Sequence, residues 1–339
     1  MISSHVVPDD VPLHLATKIV FSIIAALGIA GNGLVIYVLA SAVASRRGNI
    51  NILLINQSLI DLITSILLVL CFLTPGQRPP SPTPAAAAFI CYIWNSKYLF
   101  WATTMASMVN LLLLTFERYY ATLYPLQYRN RSFLKWPRSL ALATLPWILG
   151  YLLEIYSALG HTVDKHNQCK LKHFPTWSVK IIYSVAVLVF DYLVPLGLMV
   201  FAYVRIYRAL RGNATASGDS PNERTPIVQP ANQHGESASR SQARRNVIKT
   251  LVTVCGVFSL LWLPNQFAYF YYNISDEVHL NMDLYGASII FAFLNMCVNP
   301  FIYTFQYHQF REGLGRAIPC LARFRIMRIP ETRNNLAPA

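Results

Sequence analysis

The sequence predicts an all-α membrane protein, a seven-transmembrane helix bundle followed by a short amphipathic eighth helix. Three observations carry this expectation. Of 339 residues, 54% are hydrophobic and only 13% are Asp, Glu, Lys or Arg, about half the charge that dresses a water-facing surface. Seven charge-poor windows each reach the roughly 20 residues a helix needs to cross the hydrocarbon core of a bilayer. The basic residues are distributed unevenly, 21 of the 28 Lys and Arg lying on one side of the seven windows and 7 on the other. That asymmetry places the N-terminus outside and the basic connections in the cytoplasm. The formal charge of +13 is therefore a topology signal, and no nucleic-acid partner is implied. The 13% aromatic content excludes a disordered chain, and six Cys in so long a sequence do not make a disulfide scaffold.

In chain order, residues 1–17 form an extracellular N-terminus, too short and too acidic for a cleaved signal peptide, so the first span acts as its own insertion signal. The spans are expected near 18–43, 50–74, 91–117, 139–159, 180–204, 247–272 and 283–306. The first carries no charge between Lys18 and Arg46, and the sixth none between Lys249 and Asp276. The second, fourth and fifth each hold one interior acid, Asp61, Glu154 and Asp191, and the third closes on Glu117 and Arg118. Within the membrane domain 18–306, the stretch 209–243 is rich in Ser, Asn, Pro, Ala and Gln and reads as a disordered third cytoplasmic loop. Residues 307–339 comprise an amphipathic helix and a cytoplasmic tail, because Phe310, Leu314 and Ile318 recur at helical spacing beside Arg311 and Arg316.

A charge buried in lipid costs several kcal/mol, so an intramembrane carboxylate faces the bundle interior. Asp61 shares its depth with Asn32, Ser107, Asn110, Asn295 and Asn299. One carboxylate among hydroxyl and amide oxygens suits a hard cation such as Na⁺, or a proton; interhelical hydrogen-bond glue is the equal alternative. Pro146, Pro195, Pro264 and Pro300 fall inside spans and introduce kinks, either static bends or hinges.

Taken in order along the chain, these residues resemble the rhodopsin-like family of G-protein-coupled receptors. Gly31-Asn32, Asp61, Glu117-Arg118-Tyr119 and Pro125 are followed by Trp147, then Pro195 with Tyr203, Phe258 with Trp262-Leu-Pro264, and Asn299-Pro300-Phe-Ile-Tyr303. The resemblance implies an activation switch built from Glu117, Arg118, Tyr119, Tyr203, Phe258, Trp262, Pro264, Asn299, Pro300 and Tyr303. In it, Glu117 latches the permanently charged Arg118 while the receptor rests. It also implies an allosteric sodium pocket of Asp61, Ser107, Asn295 and Asn299, no other cofactor, and a disulfide between Cys91 and Cys169. Cys320 becomes a candidate palmitoyl anchor, and Asn273 of Asn273-Ile-Ser275 a candidate glycosylation site.

Two departures from the family stand out. Cys91 and Arg118 are two residues further apart than usual, so the outer end of the third helix is expected to bulge or to start later. Arg244 and Arg245 replace the acid that often pairs with the arginine of the third helix; Arg118 and Arg244 would repel, which predicts a weak resting lock.

The ligand cavity is expected around Trp101, Glu154, Asp191, Gln266, Tyr269 and Tyr285, aromatic rings with a few charges. Phe293 stands near the place of the opsin lysine, and Asn95 to Met105 contains no acid to hold an amine. The acids suit a basic neuropeptide or peptide hormone. Lys165, Lys170 and Lys172 keep an acidic peptide or a lipid acid open, and a small-molecule or lipid ligand is the alternative to a peptide. The resemblance implies a plasma-membrane location and a heterotrimeric G protein, arrestin, a receptor kinase and membrane lipid as partners. An ion-coupled transporter is the rival class, disfavoured by the ordered motifs and the absence of internal repeats; no nucleophile or metal constellation suggests an enzyme.

Overall fold

The computed structural model describes residues 15–44, 50–74, 83–130, 138–172, 176–216, 232–274 and 282–318. Cys320 and Ser275 lie outside the described residues, as does the side chain of Arg244. Without water to satisfy its amides, a chain in lipid closes its hydrogen bonds within helices, and the described residues are helical apart from one hairpin and short connections. The helices are α1 (Leu15–Ala44), α2 (Ile50–Leu68), α3 (Pro84–Phe89), α4 (Tyr98–Leu123), α5 (Pro125–Asn130) and α6 (Arg138–Leu153). They continue as α7 (Ile155–Leu159), α8 (Trp177–Leu188), α9 (Val194–Ala216), α10 (Asn232–Ile274), α11 (Met282–Gln306) and α12 (His308–Ala317). Seven stretches are long and apolar enough to span: Leu15–Ser41, Asn51–Leu73, Pro84–Leu123, Arg138–Leu159, Trp177–Arg211, Asn246–Tyr271 and Tyr285–Gln306. Helix also extends into the predicted loop 209–243 from both sides, α9 running to Ala216 and α10 starting at Asn232.

Helix α4 is the central post, packed against α2, α6, α9 and α10, while α1 packs on α2 and α11. Close approach requires small residues, as in membrane bundles generally. A Cβ on Gly150 of α6 would lie 2.5 Å from the backbone nitrogen of Ala106 in α4. Serine and threonine hydroxyls inside the spans donate to the carbonyl one turn back, as Thr64 does to Ile60 and Thr115 to Leu111, which makes them tolerable in an apolar setting.

The proline kinks follow from hydrogen-bond bookkeeping. Pro300 has no N–H, so the carbonyl of Met296 one turn earlier loses its helical donor. Asn32 supplies the replacement, its Nδ2 donating to the Met296 carbonyl at 2.7 Å and to that of Gly28 at 2.9 Å. A Cβ on the neighbouring Gly31 would meet the Pro300 ring at 2.9 Å. Thus the Gly-Asn pair of the first span and the proline of the seventh are one contact.

The third span is broken before α4. A wide helical turn, Ile90–Asn95, ends with the Ser96 N–H donating to the Cys91 carbonyl, and Lys97 takes a left-handed φ of 55° before α4 begins. The expected bulge lies here.

Cys91 and Cys169 form the disulfide, with Cα atoms 5.2 Å apart. Cys169 opens β2 (Cys169–Leu171), which pairs antiparallel with β1 (His161–Val163). The turn is held by the Asp164 carboxylate, which accepts from the His166 and Gln168 amides at 2.8 and 2.9 Å and pairs with Lys170 at 2.7 Å. The Lys170 hydrogen bond, aided by these amides, lowers its pKa to about 2. A depressed carboxylate stabilises above its ordinary pKa, and that contribution is lost only as pH falls towards 2.

Helix α12 turns Phe310 and Leu314 inward until both are buried, and Tyr307 before it donates to Asn51 at 2.7 Å. The apolar face predicted for the eighth helix thus seats on the bundle.

Candidate functional site

Three polar sites occupy successive depths of the bundle. At the end where α4 finishes, one edge of the Arg118 guanidinium, Nε and Nη2, donates to both oxygens of Glu117. Tyr128 on α5 adds a third member, donating to Glu117 at 2.5 Å. Burial, and then the Glu117 carboxylate, raise the Tyr128 pKa well above that of an ordinary phenol, so the hydroxyl stays protonated and remains a donor. Sequence reasoning found Glu117 and Arg118 but missed Tyr128, which lies ten residues on across a turn. Tyr119 points elsewhere, its ring 6.3 Å from that of Phe201.

One turn deeper, the Tyr203 hydroxyl lies 3.2 Å from Thr115 Oγ1, and Cys255 Sγ lies 3.6 Å from both oxygens. The Tyr303 hydroxyl is buried and has no hydrogen-bond partner among the described residues. Tyr203 and Tyr303 are therefore not bonded to one another in this conformation.

At mid-depth, Asp61 accepts from Ser107 at 2.9 Å, from Asn299 at 2.7 Å and from Gln57 at 3.2 Å. Asn295 lines the small cavity beside it together with Thr64, Thr104 and Trp262. The three residues expected around this carboxylate, Ser107, Asn295 and Asn299, are brought together with it. Gln57 was missed, although its position four residues before Asp61 puts it on the same helix face. A second hub was also missed: Asn56 donates to Asn110 and to the Ala143 carbonyl, and accepts from the Trp147 indole at 3.0 Å. It joins three spans through one side chain.

Towards the disulfide, a larger cavity opens between the third, fourth, fifth and sixth spans. Trp101, Thr104, Met105, Met108, Glu154, Asp191, Tyr192, Phe258, Trp262 and Gln266 line it. Four of the six predicted ligand residues, Trp101, Glu154, Asp191 and Gln266, meet here. Tyr269 and Tyr285 are buried but are not among its lining residues. The opposite side of the bundle is filled instead by rings, with Phe293 packed 5.0 to 6.2 Å from Phe21, Phe72, Phe100 and Trp101. Trp262 faces both cavities, and Phe258 lies one turn below it, ring centroids 6.1 Å apart.

Asn273 is 0% exposed, and its Nδ2, the atom a glycan would occupy, donates to the Tyr269 carbonyl at 2.8 Å.

A sequence model described as "7 transmembrane receptor (rhodopsin family)" matches residues 31–303. The chain belongs to the rhodopsin family of seven-transmembrane receptors. It is 27% identical to galanin receptor type 1 of Rattus norvegicus over 320 residues, which covers 91% of this chain and 83% of that receptor. It is 24% identical to tachykinin-like peptides receptor 86C of Drosophila melanogaster over 337 residues, 92% of this chain and 61% of the other. Similarity to 5-hydroxytryptamine receptor 4 of Cavia porcellus is 29% over 255 residues, 64% of this chain and 63% of that receptor. A rhodopsin-family receptor is a membrane-embedded signalling protein and not an enzyme, which sets the frame for the three sites.

Proposed function

We propose that this receptor sits in the plasma membrane with its N-terminus outside, binds an extracellular peptide in the Glu154–Asp191 cavity, and activates a heterotrimeric G protein at its Arg118 end. The observation that carries the reading is the position of Trp262, whose ring lines both the ligand cavity and the Asp61 cavity. A ligand that moves this ring changes the packing of both sites and of Phe258 beneath it, on a helix that Pro264 allows to bend. Outward swing of that helix would free Arg118 from Glu117 and Tyr128 and offer the guanidinium to an inserted helix of the G protein. Agonist and G protein then favour the same state, so each raises the affinity of the other. Arrestin and a receptor kinase would use the same opened face, and Arg311 and Arg316 on α12 suit anionic lipid, with Cys320 beyond them as the candidate acyl anchor.

The peptide reading is supported by the galanin and tachykinin-like receptors, whose similarity covers over nine-tenths of this chain. A small-molecule ligand is the second reading, favoured by the likeness to a 5-hydroxytryptamine receptor.

The residues around Asp61 fit a sodium ion. Among the described residues no group of three or more His, Cys, Asp or Glu is placed to hold a metal. One carboxylate with the Ser107 hydroxyl, the Asn295 amide and the buried, unpartnered Asn299 Oδ1 is instead a hard-oxygen set. Bound there, sodium would hold the inward-packed state.

The test is binding of a GTP analogue to membranes containing the full chain and each G-protein class, with and without added peptides. Peptide-dependent exchange that Arg118→Ala abolishes, with peptide binding retained, is the expected result. Solute flux without exchange would overturn the proposal in favour of a transporter.

A further inference from the structure

The larger cavity is short of positive charge. Its described lining residues include two carboxylates and no Lys, Arg or His. Glu154 is 2% exposed and its Oε1 has no hydrogen-bond partner. Gln266, 3% exposed, leaves its Oε1 equally unmatched. The Tyr156 hydroxyl donates to Asp191 at 2.6 Å and lies beside Glu154 as well, so one phenol proton serves two carboxylates. The Tyr192 hydroxyl, which also lines the cavity, is spent on the Ser259 carbonyl at 2.8 Å. Buried acceptors left without donors are costly, and buried carboxylates without a counter-charge more so. No cation among the described lining residues answers these acceptors, and a ligand can supply one.

From this geometry we infer that the ligand inserts a guanidinium group between Glu154 and Asp191. The inference rests on the proposed ligand cavity and names the chemistry that the cavity selects. A guanidinium presents five N–H donors in a plane and no acceptor. It can bond Glu154 and Asp191 on two edges and still reach Gln266, whereas the ammonium group of a lysine, a point charge with three donors, matches the spread of acceptors less well. The methylene stem would lie against Trp101, Met105 and Trp262, where apolar and aromatic surface accepts it. Because Trp262 also faces the Asp61 cavity, a side chain seated here touches the residue that couples the two sites.

The probes are two matched libraries of amidated hexapeptides, one with arginine and one with citrulline, its neutral isostere, at every arginine position, together with agmatine as a small guanidinium. Each is applied to membranes of cells expressing the full chain, Glu154→Gln or Asp191→Asn, and GTP-analogue binding is normalised to receptor number. The expected result is active peptides in the arginine library alone, with citrulline or either substitution lowering potency at least about thirtyfold, as for removal of one partner of a buried charge pair. Equal activity in both libraries would overturn the guanidinium while leaving the peptide receptor intact. Response to agmatine alone, lost in Asp191→Asn, would uphold the guanidinium and overturn the peptide. Silence to the libraries and agmatine, in a receptor that exchanges nucleotide with other ligands, would overturn the inference.

Discussion

At the scale of single residues, Glu117 is held from two sides. Arg118 supplies charge and Tyr128 supplies one hydroxyl proton. Removing that hydroxyl leaves the ion pair but loses a hydrogen bond to a charged group, worth about 1.5–3 kcal/mol. Tyr128→Phe is therefore expected to raise ligand-free nucleotide exchange severalfold, without loss of maximal agonist response; unchanged basal exchange would show that the tyrosine is a bystander. The sequence shows Glu117, Arg118 and Asp61 because an ionised group beside or inside an apolar window has few innocent explanations. It conceals Tyr128 and Asn56, since a tyrosine in a short connection and an asparagine within a polar run become meaningful only when another helix presents its partner. Gln57 stands between these cases, being readable from its spacing to Asp61.

At the scale of elements, two departures from a regular helix can be described locally. Asn32 answers the carbonyl that Pro300 strands, and the turn at Ile90–Asn95 with the left-handed Lys97 breaks the third span before α4. Below the break, Ser107, Asn110 and Arg118 of α4 meet Asp61, Gln57 and Glu117. Contact between α4 and α6 depends on Gly150, where an added methyl would stand 2.5 Å from one backbone atom of Ala106 and 2.8 Å from the carbonyl of Ala102. Backbone cannot move aside as a side chain can. Gly150→Ala is expected to cost about 1–3 kcal/mol by overpacking, read as a Tm several degrees lower for the purified receptor in detergent; an unchanged Tm would mean the two helices separate freely.

At the scale of the whole molecule, the ligand cavity and the Asp61 cavity are stacked along one bundle and share Trp262, so occupancy of one should be felt at the other. Sodium at Asp61 is expected to lower ligand-free and agonist-stimulated exchange relative to an organic cation at equal ionic strength. Asp61→Asn should remove that difference; a persistent sodium effect in the variant would place the ion elsewhere. The fold class, the seven spans, the basic side of the membrane and the order of the motif residues were all determined by the sequence, because each follows from hydropathy, charge placement or spacing along one chain. Only the tertiary structure decided which predicted residues share a cavity, that Phe293 and its ring neighbours fill the side by the first, second and seventh spans, and that Asn273 is buried. Those outcomes depend on distances between side chains on different helices, or on how neighbours cover a residue, and no one-dimensional pattern contains them.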